Sequence, residues 1–246
     1  EQVKDYWEQE PCGSGVATKP KCTKEYFDEI EEHRYRLEPF IHRFAQFTRH
    51  RGKNVLEVGV GAGTDHLQFA RAGAILSGVD LTDAAIEMVS TRLALEGFHS
   101  DLRRSDAEHL PFADNSFDYV YSWGVLHHTP DTEKALAEVY RVCKPGGKVC
   151  IMLYHRRSLL ALLVWIRFGL LRLRPFMSLR KAIYYHMESI GTKCYTIRET
   201  RHLFHHYRRV KVTPVLTPHD LPHLPAGLAQ YLPQAWGWFL GIEATK

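Results

Sequence analysis

Three glycines stand directly behind a short apolar run, where a ligand could be bound. The stretch "NVLEVGVGAGTD" (54–65) contains Gly59, Gly61 and Gly63. Glycines let the backbone approach a ligand closely, and a strand–turn–helix unit directs backbone N–H groups and the positive end of a helix at it. The spacing is G-x-G-x-G, one residue shorter than the G-x-G-x-x-G of dinucleotide-binding proteins. A tight turn that binds nothing is the alternative.

Three acidic residues narrow the choice of ligand. Glu57 lies two residues before the first glycine, and Asp80 ends the next apolar run. Asp106 follows at the point where a third strand should end. The carboxyl ends of parallel strands line the ligand crevice of an open α/β sheet. Carboxylates there would repel a pyrophosphate but would suit a cationic ligand with a ribose and an adenine. Capping or ion-pairing roles for Glu57 and Asp106 are the alternative.

The elements that would position the glycines and the three acids are strand-like runs that alternate with helix-like segments. The runs "NVLEVGV", "AILSGVD", "FDYVYSW" and "KVCIMLY" are rich in the β-branched or aromatic residues typical of strands. Helix-like segments separate them, and "RRVKVTPVL" and "WGWFLGIEAT" favour two closing strands. The alternation predicts an α/β fold. We expect a Rossmann-like open sheet of seven mostly parallel strands, with an antiparallel last strand and helices on both faces.

Helical segments are predicted on either side of this alternating core. Apolar residues between Phe27 and Phe44 recur at spacings of three, four and seven, and Pro39 should divide them into two helices. A mostly helical insert follows the fifth strand, at 155–206. Near its end, Thr196 and Glu199 form a capping-box pattern at the start of a further helix.

Composition indicates an ordinary globular chain with one basic region. Of the 246 residues, 45% are hydrophobic and 24% are charged, as is typical of globular proteins. Residues 155–211 carry thirteen Lys and Arg against two acids, although the net charge of the chain is only +4. Such a distribution indicates a local anionic partner rather than a protein coated with nucleic acid.

Signals for targeting, membrane spanning and metal binding are missing from the pattern. The N-terminal stretch shows no signal peptide, and the longest uncharged stretch of the insert, Ser158–Ile166, has nine residues. A membrane-spanning helix needs about 20. The five cysteines include no C-x-x-C pair, so neither a disulfide framework nor a metal site is predicted. We expect a cytoplasmic protein, with at most a weak contact with a membrane surface.

Five motifs in order resemble those of the class I S-adenosylmethionine-dependent methyltransferases. "VLEVGVGAGTD" is similar to their first motif and "GVD" to their acidic second. "DAEHLPFADNSFDYVYSWGVLHHTPD" and "RVCKPGGKV" are similar to later motifs of the small-molecule methyltransferases related to ubiquinone and sterol methylation, and "HHYRRVKVTPVL" fits the family's end. The resemblance implies S-adenosylmethionine as cofactor. It also implies methyl transfer to O, N or C of a small acidic or amphipathic metabolite, by in-line attack on the sulfonium.

The same resemblance implies a set of cofactor-binding residues. They are Glu57, Gly59, Gly61, Gly63, Asp80, Leu81, Asp106, Ala107, Ser122, Trp123 and His127. Asp80 would accept hydrogen bonds from the ribose hydroxyls, and Asp106 would accept one from the adenine amino group. The implied parts of the chain are an N-terminal arm and helical lid (1–50), the cofactor-binding core (51–154), the basic insert on the substrate side (155–206) and the closing strands (207–246).

Candidate catalytic residues follow the fourth strand and lie in the insert. His127 or His128 could act as a general base for a hydroxyl or ammonium acceptor, and Tyr184 is a further candidate. A hydrogen-bonded framework role for the two histidines is the alternative. The candidate substrate-binding residues are Tyr6, Trp7, Arg156 and Tyr185.

The basic insert is where substrate choice is expected. Arg156, Arg167 and Arg174 would share one face if a single helix were continuous through them, and arginines can bind a carboxylate or a phosphate bidentately. A solvated basic face is one alternative. Contact with anionic lipid is another, because a stripe rich in Leu, Trp and Phe accompanies the arginines.

Other functions remain compatible with the cofactor motifs. The same fold can host attack on another S–C bond, either aminocarboxypropyl transfer or a cyclisation that releases methylthioadenosine. A module that only senses the cofactor is a further alternative. A nucleic-acid methyltransferase is disfavoured, because "SWGVLHH" stands where an Asp/Asn-Pro-Pro-Tyr-type motif would follow the fourth strand.

Overall fold

The computed structural model describes Glu8 and residues 13–187, 191–220 and 232–246. Within these ranges the chain forms one seven-stranded sheet. The strands are β1 (Asn54–Val58), β2 (Ile75–Asp80), β3 (Asp101–Arg104), β4 (Phe117–Trp123), β5 (Cys143–Tyr154), β6 (Arg208–Val215) and β7 (Phe239–Thr245). Their order is β3-β2-β1-β4-β5-β7-β6, and β7 runs antiparallel to both of its neighbours. The predicted sheet is confirmed, including its reversed last strand.

Helices cover the sheet and precede it. They are α1 (Lys24–Leu37), α2 (Ile41–Ala45), α3 (Thr64–Arg71), α4 (Asp83–Leu95), α5 (Thr132–Val142), α6 (Leu159–Phe168), α7 (Leu179–His186) and α8 (Ile197–Leu203). The N-terminal helical pair is divided around Pro39, and the Thr196–Glu199 capping box is present at the start of α8.

Both faces of the sheet are buried, as expected of a parallel sheet between two layers of helices. Successive residues of a strand point to opposite faces. Val55 and Tyr119 accordingly join one apolar cluster, whereas Leu56 and Val120 join another. The strand order reverses between β1 and β4, which neighbour each other in the middle of the sheet. In open α/β sheets this switch point is where ligands bind.

Helix α1 is tied firmly to the helices beside the glycine loop. Glu31 pairs with Arg71 of α3 at 2.8 Å and with Arg92 of α4 at 3.0 Å. The buried Arg92 guanidinium also donates to the carbonyl oxygens of Ala62 and Phe27. Helix α1 therefore forms a fixed wall against the core.

The insert does not contain the single continuous helix that would place three arginines on one face. Helix α6 ends at Phe168, and a 3₁₀ turn at Leu170–Arg172 separates it from α7. Arg156 precedes α6 and Arg174 follows the turn, so that expectation is wrong. The physical reason is the break at Gly169 and Leu173, the latter with a φ of 56°. In the described ranges no helix is long and apolar enough to cross a bilayer.

Candidate functional site

A cleft of about 1120 Å³ opens at the carboxyl ends of β1, β2 and β4. Most of the sequence-predicted residues line it. These are Glu57, Gly59, Gly61, Asp80, Leu81, Asp106, Ala107, Trp123, His128 and Tyr184. Five others do not line it, namely Gly63, Ser122, His127, Arg156 and Tyr185. Tyr6 and Trp7 lie outside the described residues.

The glycine loop connects β1 to α3 at the floor of the cleft. Gly59 has a φ of 82° and Gly61 a φ of 50°, values that most side chains disfavour. The Gly59 amide donates to the carbonyl oxygen of Val79 at 2.8 Å. A Cβ on Gly59 would lie 2.2 Å from Cγ2 of Val125. Both conformation and space therefore require glycine at position 59.

A Gly59→Ala variant is expected to bind the cofactor at least about tenfold more weakly, because the new methyl group must displace Val125 and the loop with it. Calorimetric titration with S-adenosylhomocysteine measures the change. Gly97→Ala is the matched control, since Gly97 has a φ of 74° but open space around its Cβ position. Adding Val125→Ala should restore part of the affinity. If Gly59→Ala bound as tightly as Gly97→Ala, the steric account would be wrong.

Gly63 does not line the cleft, and the space beside it is filled by a neighbouring helix. It lies at the N-cap of α3 with a φ of 74°, and a Cβ there would approach Cγ2 of Val89 to 2.9 Å. Close packing of α3 on α4 therefore accounts for this glycine. The expectation that all three glycines bring the backbone to the cofactor is supported only for the first two.

Asp80 is held at the carboxyl end of β2 by backbone donors. Its Oδ2 accepts from the Gly61 amide at 3.1 Å, and its Oδ1 accepts from the Thr82 amide at 3.1 Å. Burial raises the pKa of Asp80, and these hydrogen bonds oppose the rise. The carboxylate is thus fixed in direction beside the glycine loop and lines the cleft, which suits a pair of ribose hydroxyls.

Glu57 points to a buried histidine. Its Oε2 lies 2.9 Å from Nδ1 of His66, whose Nε2 lies 2.9 Å from Oγ of Ser100. Ser100 donates its one hydroxyl proton to the carbonyl oxygen of Leu76, so His66 must donate from Nε2. Burial lowers the pKa of His66 to about 3. A neutral His66 then accepts at Nδ1 from Glu57.

The acid at position 57 is correspondingly protonated in this arrangement. Burial, with the nearby charges of Asp65 and Asp80, raises the pKa of Glu57 well above its usual value, and the Arg34 guanidinium opposes the rise. The side chain lines the cleft, but as a neutral acid hydrogen-bonded to His66 it adds no charge there. A role for Glu57 at the amino-acid end of the cofactor stays a prediction.

The adenine end predicted from the sequence is formed by the loop after β3. Asp106 is exposed at the cleft and uses Oδ1 to accept from the Glu108 amide at 2.9 Å. Leu81 and the buried Ala107 line the same end, and Leu81 is 37% exposed. The apolar surface of Leu81 and the remaining Oδ2 of Asp106 fit a base that carries an amino group.

Helix α1 contributes an ion pair with a buried carboxylate, which sequence reasoning missed. Arg34 binds both oxygens of Asp65, at 3.1 and 2.6 Å. The hydroxyls of Tyr35 and Tyr121 donate to the same carboxylate. Burial alone would raise the pKa of Asp65, but Arg34 and these hydroxyls hold it below its usual value. The pair fixes α1 against the start of α3.

The described lining of the cleft carries more acid than base. Its acids are Glu38, Glu57, Asp65, Asp80 and Asp106, and its one arginine is Arg34. Even with Asp65 paired to Arg34 and Glu57 protonated against His66, the other three acids leave the cleft negative. A cationic ligand is favoured there, and a pyrophosphate is not.

Aromatic side chains form the opposite end of the cleft. Trp123, Tyr154, Trp238 and Phe239 line it, and the Tyr154 and Trp238 rings stack at 4.3 Å. The indole N–H of Trp123 donates to Oε2 of Glu38 at 3.1 Å, which anchors the ring to the end of α1. This end is therefore apolar, with one carboxylate at its edge.

Ser122 does not reach the cleft. It is fully buried and donates from Oγ to the carbonyl oxygen of Val58 at 2.9 Å. The alternation of side chains along β4 explains the difference, because Trp123 and Ser122 point to opposite faces of the sheet. Ser122 joins β4 to β1, and its predicted contact with the cofactor is not supported by this placement.

The two histidines after β4 occupy different positions. His127 is fully buried, with its ring 3.9 Å from that of Tyr154. Burial, reinforced by the neighbouring His128, lowers the pKa of His127 well below its usual value. His128 lines the cleft, and its Nδ1 lies 3.3 Å from Oγ1 of Thr192. His128 is therefore the better candidate for a base, whereas His127 is a buried residue packed against Tyr154.

Of the predicted residues of the insert, Tyr184 lines the cleft, whereas Arg156 and Tyr185 do not. Both carboxylate oxygens of Glu199 lie 2.6 Å from a guanidinium nitrogen of Arg156, which leaves Arg156 poorly placed to bind a substrate. Burial would raise the pKa of Glu199, but hydrogen bonds from Thr196 and Arg156 lower it to about 2. Tyr184 lines the cleft, whereas Tyr185 is 56% exposed outside it.

Comparison with known proteins gives matches in the region that forms the cleft. Residues 56–151 match the family described as "Methyltransferase domain". The chain is 40% identical over 119 residues to phosphoethanolamine N-methyltransferase 2 of Caenorhabditis elegans, covering 47% of this chain and 26% of the relative. It is 43% identical over 108 residues to phthiotriol/phenolphthiotriol dimycocerosates methyltransferase 1 of Mycobacterium ulcerans, covering 43% of this chain and 39% of the relative.

A solved structure extends the likeness to most of the chain. It is that of phosphoethanolamine N-methyltransferase 2 of Haemonchus contortus in complex with S-adenosyl-L-methionine. The TM-score is 0.60 at 21% identity, over 85% of this chain and 51% of the other. At this identity the comparison shows a shared fold. The matched regions of the two curated relatives span 26% and 39% of their lengths.

The fold, the glycine loop and these matches identify residues 56–151 as the core of a class I S-adenosylmethionine-dependent methyltransferase domain. S-adenosylmethionine is accordingly the cofactor of the domain. Within the class, the curated matches named above are methyltransferases whose names carry small-molecule or lipid acceptors.

Proposed function

We propose that this chain transfers the methyl group of S-adenosylmethionine to O, N or C of an amphipathic small molecule. The observation that carries the proposal is the division of the cleft. One end has the glycine loop with Asp80 and Asp106, and the other has the aromatic wall formed by Trp123, Tyr154, Trp238 and Phe239. A cofactor with a ribose and a base fits the first end, which leaves the second for an acceptor.

The residues at the first end fit the cofactor. Gly59 and Gly61 supply a backbone that a ligand can approach, and a Cβ on Gly59 would distort it. Asp80 would hold the ribose hydroxyls and Asp106 the adenine amino group, while the negative cleft favours a sulfonium over a phosphate. When bound, S-adenosylmethionine supplies an electrophilic methyl group on a positively charged sulfur. The chain's own contribution is to orient the acceptor and exclude water.

The acceptor end favours an amphipathic molecule over a strongly acidic one. Its side chains are mainly aromatic and apolar, and the insert adds Leu160, Tyr184 and Met187. Arg156, expected from the sequence to bind an acidic group, is occupied by Glu199. Cationic acceptors remain compatible, because aromatic faces and the carboxylate of Glu38 attract an ammonium group. We assign the general-base role to His128, because it lines the cleft.

The relatives support a small-molecule acceptor. One is named for phosphoethanolamine and the other for phthiotriol and phenolphthiotriol dimycocerosates. The aromatic wall is compatible with an acceptor of either kind. The attacked atom is left open between O, N and C, because His128 could serve a hydroxyl or an ammonium equally well.

Identification of the sulfur product tests the proposed reaction. The chain is incubated with S-adenosylmethionine labelled in the methyl group, with and without candidate ammonium and hydroxyl amphiphiles. We expect S-adenosylhomocysteine and a labelled acceptor, formed together and only when an acceptor is present. Methylthioadenosine formed without any acceptor would contradict methyl transfer and support attack on another S–C bond. Heat-denatured protein is the control for chemical breakdown of the cofactor.

A further inference from the structure

The turn between α6 and α7 exposes a group of large apolar side chains. The sequence Leu170–Phe176 reads "LLRLRPF". Leu171 is 73% exposed, Leu173 is 91% exposed and Phe176 is fully exposed. Exposure of apolar side chains of this size to water is unfavourable. Their concentration in seven residues therefore indicates a surface that meets a partner. We call residues 170–176 the tip.

The tip is a structured turn. The Leu173 amide donates to the carbonyl oxygen of Leu170 at 3.0 Å, and the Arg174 amide donates to that of Gly169 at 2.7 Å. The Trp165 indole N–H donates to the carbonyl oxygen of Met177. Leu173 is held at a φ of 56°, where glycine or asparagine would be unstrained. A leucine held in this conformation and pointed outward is better explained by a surface contact than by the fold.

Basic side chains lie in the tip and along the segment that carries it, and the sequence of this segment contains no acid. Between His155 and Met187 the sequence has six arginines and one lysine but no Asp or Glu. In the described part of the chain, five of these cations make no salt bridge. They are Arg157, Arg167, Arg172, Arg174 and Lys181. The guanidinium groups of Arg167 and Arg172 lie over the Phe168 ring at 5.2 and 4.9 Å.

The hairpin that carries the tip also lines the cleft. Leu160 at the start of α6 and Tyr184 near the end of α7 both face it. Helix α6 has ten residues, so the tip lies roughly 15 Å along the helix from the cleft wall at a rise of about 1.5 Å per residue. A surface that receives the tip would thus be held beside the acceptor end of the cleft.

We propose that the tip docks the protein on an anionic lipid membrane surface, with its apolar side chains in the interface and its arginines at the headgroups. Lipid surfaces bearing negative charge attract nearby Lys and Arg, and arginines can extend to headgroups while neighbouring apolar groups enter the acyl boundary. The docking presents amphipathic acceptors to the cleft directly from the membrane. The docking proposal is argued from the exposed side chains of the tip, and it does not depend on the proposed methyl transfer.

Charge decides between a membrane and a second copy of this chain. Two copies meeting through this segment would bring like charges together, because it carries no acid to offset its arginines. An anionic bilayer offers the complementary charge and an apolar interior. The lipid surface is therefore the occupant that fits.

Vesicle flotation tests the docking without cofactor or acceptor present. We expect the whole chain to float with phosphatidylcholine vesicles that contain phosphatidylserine, and far less with phosphatidylcholine alone. The variant L171S/L173N/F176S should bind these vesicles at least about tenfold more weakly than the parent chain, since three side chains no longer enter the interface. The matched control is I75S/L95S, which removes two apolar side chains that are 60% and 49% exposed and lie outside the insert. This variant should bind the vesicles as the parent chain does.

Three outcomes would overturn the proposal. The first is an absence of flotation with either vesicle, and the second is equal binding by the tip variant and its parent. The third is a dimer, seen by light scattering, that the tip variant abolishes without any vesicle binding, since this would assign the tip to self-association. Because no cofactor is added, these outcomes are independent of whether methyl transfer occurs. Unchanged thermal unfolding of the exposed-site variants confirms that the fold is intact.

Discussion

An Asp80→Ala variant is expected to bind S-adenosylhomocysteine about a hundredfold more weakly than the parent chain. The Asp80 carboxylate faces the cleft and is held in place by the amides of Gly61 and Thr82. A hydrogen bond to a charged group contributes about 1.5–3 kcal/mol. Loss of two such bonds to ribose hydroxyls, taken at the lower end of this range, corresponds to about a hundredfold in affinity. Calorimetric titration measures it directly.

The control for this variant is Asp83→Ala. Asp83 lies three residues further on at the start of α4, is exposed, and pairs with Arg104 at 3.0 Å. It removes the same charge from the same region without touching the cleft, so its affinity should stay close to that of the parent. If the two variants weakened binding equally, a general charge effect would replace the ribose contact assigned to Asp80.

An Asp65→Ala variant is expected to lower the free energy of unfolding by about 3–5 kcal/mol. Removing the buried carboxylate of an ion pair leaves its partner's charge uncompensated, here the Arg34 guanidinium, whose side chain is 26% exposed. The change also strands the hydroxyls of Tyr35 and Tyr121, which donate to Asp65. For a chain of this size each kcal/mol moves the melting temperature by roughly 2–4 °C. Thermal unfolding followed by circular dichroism should therefore show a drop of about ten degrees.

The matched control is a solvent-exposed ion pair of α1, the helix that carries Arg34. Lys24 and Asp28 approach to 2.7 Å but are exposed, and such pairs contribute about 0–1 kcal/mol. Asp28→Ala should barely change the melting temperature. Because the pKa of Asp65 is held below its usual value, its contribution is present at neutral pH and is lost as the pH falls through that lowered pKa. An equal loss in both variants would contradict the role assigned to the buried pair.

The sheet and the cofactor end of the cleft were predictable because local rules decide them. Alternating apolar runs and helical periods specify β1, β2, β4 and β5, and a Gly-rich turn after β1 must open at the carboxyl ends of the strands. Asp80 ends its own strand, so its place at the cleft follows from the sheet alone. Asp106 follows β3 for the same reason.

The acceptor end could not be predicted because distant segments meet there. Glu38 follows α1 and Phe239 begins the last strand, so their approach to Trp123 depends on tertiary packing. Sequence spacing gave no sign that Arg156 would pair with Glu199, 43 positions away. His127 and His128 are adjacent in sequence, but their side chains point in different directions. His127 is buried, whereas His128 lines the cleft.

Gly63 shows how a shared motif can combine two roles. Its place in the G-x-G-x-G run suggested backbone approach to the ligand, yet Val89 of α4 occupies the space beside it. The constraint on Gly63 is helix packing, and it becomes visible only once α3 and α4 are placed together. Asp65, two residues later in the same motif, similarly turns to Arg34.

The central claim is that the acidic cleft binds S-adenosylmethionine and not a dinucleotide. The most direct measurement is a calorimetric titration of the whole chain with S-adenosylhomocysteine and, in parallel, with NAD. We predict saturable binding of S-adenosylhomocysteine at one site per chain and no measurable binding of NAD. Binding of NAD without binding of S-adenosylhomocysteine would contradict the account.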